Sequence, residues 1–342
     1  MLKDSFLKFF ILIFLLVPFI SRGETVPITT SIPELDEQLY VNISNKFPRP
    51  LETVKIDIEA YGIDLNKATI TWSVNGTVVN TGIGQKTFEV QTGKLGVTKK
   101  IGISIKPERG LPINKSVTLS PQELDLIWEA RTYTPPFYRG KAMYTPQENV
   151  VIVALPNFIS TGNTKLSSDK LIYNWSNEGD VAQEQSGYGK NTYKMKGDIL
   201  MKTNGVSVEV TGFGKEKAKE SVDLRVTFPE VVFYENNPLY GVLWNKSLKG
   251  SFSFTDEEKV VEAFPFYFGV FRKSDPKLSY TWRINNKDIL VPKNQSMMTF
   301  RNTDKDSGSS LIGTTINNSS NFLSEADGGV NLNYSTSEKK SF

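Results

Sequence analysis

Short segments in which apolar and polar residues alternate recur along most of the chain. In the first, Val54, Ile56 and Ile58 are separated by charged residues, which is the period-two pattern of a half-buried strand. The next covers residues 68–74 and is followed by an Asn-Gly pair, the preferred sequence of a tight hairpin turn. Similar rows occupy residues 101–105, 151–155, 171–175, 206–210, 222–228 and 278–284. The pattern predicts an all-β chain.

Three of these rows contain the same short sequence, each ending in a tryptophan: Trp72, Trp175 and Trp282, spaced 103 and 107 residues apart. A second aromatic residue follows each tryptophan after 16 to 18 positions, at Phe88, Tyr193 and Phe300. A repeat near 105 residues matches one antiparallel sandwich domain. We therefore predict three tandem immunoglobulin-like β-sandwiches in which these six aromatic residues anchor the cores.

Proline-rich segments mark the predicted boundaries between the repeats. Residues 120–136 contain three prolines besides polar residues, and Pro229 follows the last row of the second copy. Prolines stiffen a linker, so the copies are expected to form a semi-rigid rod. The predicted units are a signal peptide at 1–23 and sandwiches at 24–132, 133–230 and 231–342. In the second unit, Val151, Val153 and Leu155 are predicted to face the core.

The amino-terminal segment has the three parts of a secretory signal peptide. Lys3 and Lys8 precede an apolar stretch at residues 9–20, and small residues at Ser21 and Gly23 precede Glu24. Twelve residues are too few to span a bilayer, which needs about 20. Cleavage after Gly23 is therefore expected, with an uncleaved anchor as the alternative. This predicts a secreted or extracytoplasmic protein without an integral membrane span after cleavage.

The amino-acid composition argues against several classes of function. The whole chain has a net charge of +3, and much of that excess lies in the predicted leader, so no clustered basic surface for nucleic acid is expected. The chain contains no histidine and no cysteine. It therefore lacks the usual general base near neutral pH, the commonest transition-metal ligand, thiol nucleophiles and disulfides. No cofactor, metal or catalytic residue is predicted.

Three local motifs resemble catalytic or ligand-binding sequences. In each case the surrounding residues favour a purely structural role. The acids at residues 256–258 are adjacent along the chain, whereas a catalytic pair has to converge across a cleft. Asn302, Asp304 and Asp306 suggest a calcium loop, but Gly313 stands where the closing glutamate belongs. The Gly-x-Gly sequences at 82–84 and 187–189 have no helix after them, which a phosphate-binding loop requires. Turns are the preferred interpretation of all three.

An aromatic segment at residues 264–271 is the candidate contact patch. Its aromatic residues occur at positions that face both sides of a strand, so one face belongs to the core and the other could meet a protein or a glycan. Burial against a neighbouring sandwich is the favoured alternative. The residues of the candidate patch are Phe264, Phe266, Tyr267, Phe268 and Phe271.

Two sets of segments resemble known proteins. The Trp-Ser-Val-Asn-Gly sequence at 72–76 and the Gly-x-Gly-x-x-Thr-Phe/Tyr echo resemble immunoglobulin-like and polycystic-kidney-disease-type repeats of bacterial surface proteins. The segments at 126–130, 135–141 and 233–241 look like uncharacterised secreted multi-sandwich proteins of small-genome, host-dependent bacteria. The resemblance implies a structural or adhesive role outside the cytoplasm. Such proteins often end in a membrane helix, whereas residues 335–342 contain no stop-transfer or sorting motif.

These observations predict a non-catalytic secreted or cell-surface protein with a structural or adhesive role. One form of that role is membership of an envelope or pilus-associated assembly. Its expected partner is a protein or a glycan at the cell surface. A glycan-binding accessory module is one alternative, and a carboxylate-type glycosidase is a weaker one. Spontaneous Lys–Asn crosslinks occur in some cysteine-free pilus sandwiches, but no motif in this sequence singles out a pair.

Overall fold

The computed structural model describes residues 39–160, 162–199, 203–214, 216–254, 258–303 and 306–335. Over these ranges the chain forms β-strands and two single-turn 3₁₀ helices, at Ser168–Lys170 and Gln183–Gln185. The predicted leader and Asp256, Glu257 and Asp304 lie outside the described residues. Among the described residues, no helix has the length and apolarity that crossing a membrane would require.

The first sandwich consists of two antiparallel sheets packed face to face. One sheet has the order β1-β2-β5 and the other β4-β3-β6-β7. Alternate residues of each strand point inward, such as Val54, Ile56 and Ile58 on β2 and Ile70 and Trp72 on β3. The strands are β1 (Leu39–Ile43), β2 (Thr53–Ala60), β3 (Thr69–Val74), β4 (Thr77–Ile83), β5 (Thr87–Gln91), β6 (Lys99–Lys106) and β7 (Ile113–Leu119).

The second sandwich repeats this topology. Its sheets have the orders β8-β9-β13 and β11-β10-β14-β15, with β12 also paired to β10. Here the fourth strand is reduced to two short pieces, β11 and β12. The strands are β8 (Glu123–Ala130), β9 (Asn149–Asn157), β10 (Ile172–Asn177), β11 (Asp180–Val181), β12 (Gly187–Tyr188), β13 (Thr192–Lys196), β14 (Asn204–Thr211) and β15 (Lys217–Leu224).

The third sandwich adds two strands to the same plan. Its sheets have the orders β17-β16-β19-β22 and β18-β24-β23-β20-β21, and β18 pairs with β24 in parallel. The strands are β16 (Glu230–Asn237), β17 (Gly241–Leu248), β18 (Gly250–Phe254), β19 (Glu258–Phe266), β20 (Leu278–Ile284), β21 (Lys287–Ile289), β22 (Met297–Arg301), β23 (Gly308–Asn318) and β24 (Glu325–Tyr334). The all-β fold of three tandem immunoglobulin-like sandwiches is thus confirmed.

Each sandwich has its own hydrophobic core, and the three cores contain Trp72, Trp175 and Trp282 respectively. In all three the tryptophan lies on the strand that follows an antiparallel pair of the opposite sheet. β3 follows the pair of β1 and β2, β10 follows the pair of β8 and β9, and β20 follows the pair of β16 and β19. A buried tryptophan at this strand is typical of immunoglobulin-like sandwiches.

One strand lies in a different sandwich from the predicted one. Residues 123–130 fall within the predicted first unit, yet β8 pairs with β9, and Leu124 and Ala130 are buried in the second core. The proline-rich segment after β8 is therefore the loop from β8 to β9. Proline interrupts a ladder of backbone hydrogen bonds wherever it occurs, so its presence does not distinguish a loop within a sandwich from a linker between two.

The inward row of β9 is also shifted by one position from the predicted one. Val150, Ile152 and Ala154 are fully buried in the second core, and Val151, Val153 and Leu155 point outward. All six residues are apolar, so the alternation that normally identifies the core face is missing from this strand. The outward row becomes part of the surface considered below.

Candidate contact surface

The three repeated tryptophans occupy equivalent and fully buried positions. Each indole Nε1 donates a hydrogen bond to a backbone carbonyl in the loop that follows: Trp72 to Gln85 at 2.8 Å, Trp175 to Lys190 at 2.8 Å and Trp282 to Gln295 at 2.7 Å. A buried indole N–H needs such a partner, because leaving it unpaired costs about 1–3 kcal/mol. The indoles therefore tie the loop of each sandwich to its core.

The second aromatic residue of each repeat lies in the same core. Phe88 stacks on Trp72 with ring centroids 5.2 Å apart, and Tyr193 stacks on Trp175 at 5.4 Å. Phe300 is buried in the third core, where Trp282 packs against Phe233 at 6.0 Å. All six repeat residues pack into the cores; five are buried and Phe88 is partly buried.

The glycine loops next to these anchors are tight turns. Gly84 and Gly189 have φ angles of 72° and 70°, which favour glycine, and their N–H groups donate to the carbonyls of Ala68 and Leu171. A Cβ at Gly189 would lie only 3.0 Å from the backbone oxygen of Asp169. The loops therefore serve the fold, as the turn interpretation predicts.

Most of the candidate aromatic patch is buried. Phe264, Phe266, Tyr267 and Phe268 are covered, whereas Phe271 is 87% exposed. The residues near the end of β19 are covered because the loop after β8 lies against them. The Tyr133 N–H donates to the Phe268 carbonyl at 2.7 Å, and the Tyr267 N–H donates to the Tyr133 carbonyl at 2.8 Å. Only Phe271 of the predicted patch is available to a partner.

A buried carboxyl lies within the junction between the second and third sandwiches. Glu148, just before β9, accepts a hydrogen bond from the side-chain amide of Asn321, between β23 and β24. Gly269 lies so close to this carboxyl that a Cβ would have no room. Burial raises the pKa of Glu148, while the bond from Asn321 opposes that shift. The junction is therefore a packed contact with a titratable group inside it.

An arginine joins the first and second sandwiches at their surface. The guanidinium of Arg49 lies 2.5 Å from Glu220 and 3.1 Å from Asp125, and it donates to the Leu124 carbonyl at 3.0 Å. The hydrogen bond to Glu220 is the main cause that raises the pKa of Arg49. These two carboxylates are close together, but both are paired with one cation, which does not suit a general acid and base.

The other acidic motifs form a surface ion pair and a turn over the ranges that the structure covers. Glu258, one of the three adjacent acids, pairs with Arg301 at 2.8 Å on the surface. In the calcium-like loop, the Asn302 amide donates to the Asp306 backbone carbonyl at 2.8 Å, and Gly313 lies within β23. No cluster of three or more potential ligands among the described residues could hold a metal ion.

The outward face of β8 and β9 carries an exposed apolar surface, which we call the apolar stripe: Ile127, Val151, Val153 and Leu155. Ile127 and Leu155 are 53% and 47% exposed, and the two valines are half-buried. Ile127 lies directly opposite Val153 in the antiparallel pair, so the side chains are neighbours. The stripe is thus one continuous row across two strands.

The first sandwich provides an internal comparison for the stripe. Ile56 faces the anchor Phe88, and Ile152 faces the anchor Tyr193, which aligns β2 with β9. In this alignment Val151, Val153 and Leu155 correspond to three charged residues on the solvent side of β2, namely Lys55, Asp57 and Glu59. The same sheet face is charged in one copy and apolar in the next.

The stripe leads into a groove at the junction of the second and third sandwiches. The groove has a volume of about 610 Å³, and its lining includes Val151, Val270 and the exposed Phe271. Glu129 and Arg131 supply charged groups at the same groove. Sequence reasoning missed the stripe because it assigned β9 the opposite face. The signal that could have revealed it is the uninterrupted apolar run at residues 150–155.

No family model and no curated protein matches this chain. Among solved structures, the chain is similar to the three N-terminal domains of the bacteriophage RB49 highly immunogenic outer capsid protein, with 12% identity, a TM-score of 0.25 and coverage of 88% of this chain and 99% of that one. It is also similar to the central fibronectin-III array of RIM-binding protein, with 10% identity, a TM-score of 0.33 and coverage of 87% and 96%. A Bacteroides ovatus mixed-linkage glucan utilisation protein matches with 10% identity, a TM-score of 0.22 and coverage of 87% and 70%. At these TM-scores the similarities identify no partner or activity.

Proposed function

We propose that this protein is a non-catalytic contact protein, secreted or displayed at the cell surface, whose second sandwich presents the apolar stripe to a protein partner. The signal-like leader supports export. The observation that carries the proposal is the replacement of the charged outer face of β2 by the apolar outer face of β9. Contiguous exposed apolar surface on a soluble protein marks an interaction site.

The chemistry around the stripe favours a protein rather than a glycan. Asp125, Glu129 and Lys194 are the cross-strand neighbours of Leu155 and Val151, so charged groups border the apolar row. An apolar centre with a polar rim is the usual organisation of a protein–protein interface. The partner surface should therefore carry an apolar centre of its own, with charges at its edge.

Glycan binding is the second candidate. The structure exposes fewer of the expected aromatic residues than the sequence predicts. It requires exposed aromatic rings on a sheet face, and four of the five residues expected to supply them are buried. Of these five residues, Phe271 in the junction groove is the one whose ring is exposed. The glycosidase alternative needs two carboxylates facing a cleft, and both carboxylates of the close pair at Arg49 are bound to that arginine.

The role of the stripe can be tested by replacing the outward residues of β9 with the charged residue types found on the outward face of β2. The variant V151K/V153D/L155E carries the charges of the first sandwich and should leave the core intact, because all three side chains point outward. In cells, proximity labelling from this variant should lose the neighbours that the wild-type protein labels. An Ile172→Asp variant, altered at a 44% exposed position on the opposite sheet, serves as the matched control and should keep them.

Two measurements complete the experiment. Circular dichroism of the purified variant should match that of the wild type, which separates lost contact from lost folding. Fractionation should place the wild-type protein with the envelope or in the medium. Unchanged neighbours in the triple variant would contradict the stripe as contact surface, and a cytoplasmic protein would contradict the proposed location.

A further inference from the structure

One fully buried carboxylate in the third sandwich is contacted by an amine and by a primary amide. Glu262 lies on β19, and its side chain is only 1% exposed. The side-chain amide of Asn236, on β16, donates to Glu262 Oε2 at 3.0 Å. The ammonium of Lys273, in the loop between β19 and β20, contacts Glu262 Oε1. The lysine nitrogen and the asparagine amide therefore contact the two oxygens of one carboxylate.

Aromatic rings surround this cluster. Lys273 Nζ lies 4.8 Å from the ring centroid of Phe264, and that ring packs against Trp244 at 4.8 Å and Tyr234 at 5.5 Å. The hydroxyl of Ser296 lies 3.4 Å from Glu262 Oε1. Glu262 is buried, whereas the side chain of Lys273 is 34% exposed. A buried carboxylate in contact with both an amine and a primary amide brings together the three groups that amide formation between two side chains requires.

We propose that Lys273 and Asn236 become joined by an amide bond between their side chains, with Glu262 moving the protons. The carboxylate of Glu262 accepts a proton from the Lys273 ammonium, and Nζ then attacks Asn236 Cγ. The new Nζ–Cγ bond forms as the Cγ–Nδ2 bond breaks, and Nδ2 leaves as ammonia after taking a proton from Glu262. The second proton that Nζ loses passes through Glu262 to this ammonia, which becomes ammonium. An ammonium and an amide become a new amide and an ammonium ion, so no oxidant or co-reactant is needed.

The location of the bond gives it a physical purpose. It would join β16 to the loop that follows β19, closing the chain between residues 236 and 273. A covalent link of this kind restricts the unfolded chain, as a disulfide does. This chain has no cysteine with which to form a disulfide. The inference concerns the third sandwich alone and is independent of the partner proposed above.

Intact mass spectrometry of the purified full chain tests the bond. The wild-type protein should be lighter than its sequence by one ammonia, about 17 Da, and fragmentation should identify one peptide pair linked through Lys273 and Asn236. Lys273→Arg, Asn236→Ala and Glu262→Gln should each restore the full mass. Glu235→Gln alters the other buried lysine–glutamate pair on this sheet, Lys259 with Glu235 at 2.7 Å, and should keep the loss.

Each result has a defined meaning. A wild-type protein at full mass overturns the proposal, as does a loss that persists in Lys273→Arg. A loss of water with Lys273 linked to Glu262 would also overturn it, because Glu262 would then be a reactant. Peptide mapping of the amino terminus establishes where the mature chain starts, so leader removal is not mistaken for a modification. Circular dichroism of Lys273→Arg shows whether the variant folds, since it keeps the charge next to Glu262.

Discussion

At the scale of single residues, one hydrogen bond explains why tryptophan recurs where phenylalanine would also fill space. Each anchor indole reaches a backbone carbonyl 13 to 15 residues further along the chain. Phenylalanine has no donor for that carbonyl. The repeated tryptophan therefore fills the core and also donates a hydrogen bond to a carbonyl in a loop that has no strand pairing of its own.

Trp175→Phe tests this account in the second sandwich. The change leaves the Lys190 carbonyl without its indole donor and a small cavity in the core, so the free energy of unfolding should fall by about 2–4 kcal/mol. Hydrogen exchange of the strands around the second core, followed in denaturant, measures the loss. Leu290→Ala, at a fully exposed position, should change stability by less than about 0.5 kcal/mol. Equal protection in Trp175→Phe and wild type would contradict the role of the N–H.

At the scale of elements, the three sandwiches differ most in one edge strand. β4 runs for seven residues without a charged residue or proline, and Val78, Val79 and Ile83 are exposed on it. The corresponding edges are two-residue pieces in the second sandwich and Lys287–Ile289 in the third. Short or charged edges prevent sheets from pairing with one another, so β4 lacks the protection that the other copies have.

Val78→Lys should therefore reduce self-association of the full chain. Antiparallel pairing of two β4 edges would bring like charges close together, which costs about 1 kcal/mol and weakens association roughly fivefold. Sedimentation velocity over a concentration series measures this. Val181→Lys places the same charge on the short edge of the second sandwich and should have no such effect. Identical concentration dependence for wild type and Val78→Lys would show that this edge stays unpaired.

At the scale of the whole molecule, the contacts between sandwiches decide how the array behaves. The second and third sandwiches share buried backbone hydrogen bonds through Tyr133. The first and second share the exposed ion pairs of Arg49 and a close contact of Gly96 with Ile159. Exposed ion pairs contribute at most about 1 kcal/mol each, so they add little to the first junction.

Glu148 makes the junction of the second and third sandwiches sensitive to pH. Because burial raises its pKa, the folded protein keeps the proton on Glu148 to a higher pH than the unfolded chain does. Its contribution to stability is complete below the unfolded pKa and is lost as the pH rises through the raised folded value. Glu148→Gln removes this dependence, so the stability of the variant relative to wild type should increase as the pH rises through that window.

Chemical unfolding at a series of pH values, with each variant compared to wild type, measures the difference. Glu325→Gln, at an exposed position of the third sandwich, is the control for loss of a carboxylate as such. The prediction is wrong if the stability difference for Glu148→Gln is flat across the acidic range, or if it falls as the pH rises.

The amino-acid sequence alone determined the strand period, the threefold repeat and the six core anchors, because these depend on local alternation and on spacing along the chain. Tertiary structure decided the rest. β9 is apolar on both faces, so only packing selects Val150, Ile152 and Ala154 for the core and leaves the apolar stripe outside. β8 joins the second sandwich because long-range pairing with β9 is available to it. Lys273, Asn236 and Glu262 are separated in sequence and meet only when β16 and β19 pair, because adjacency across a sheet depends on register rather than on sequence spacing.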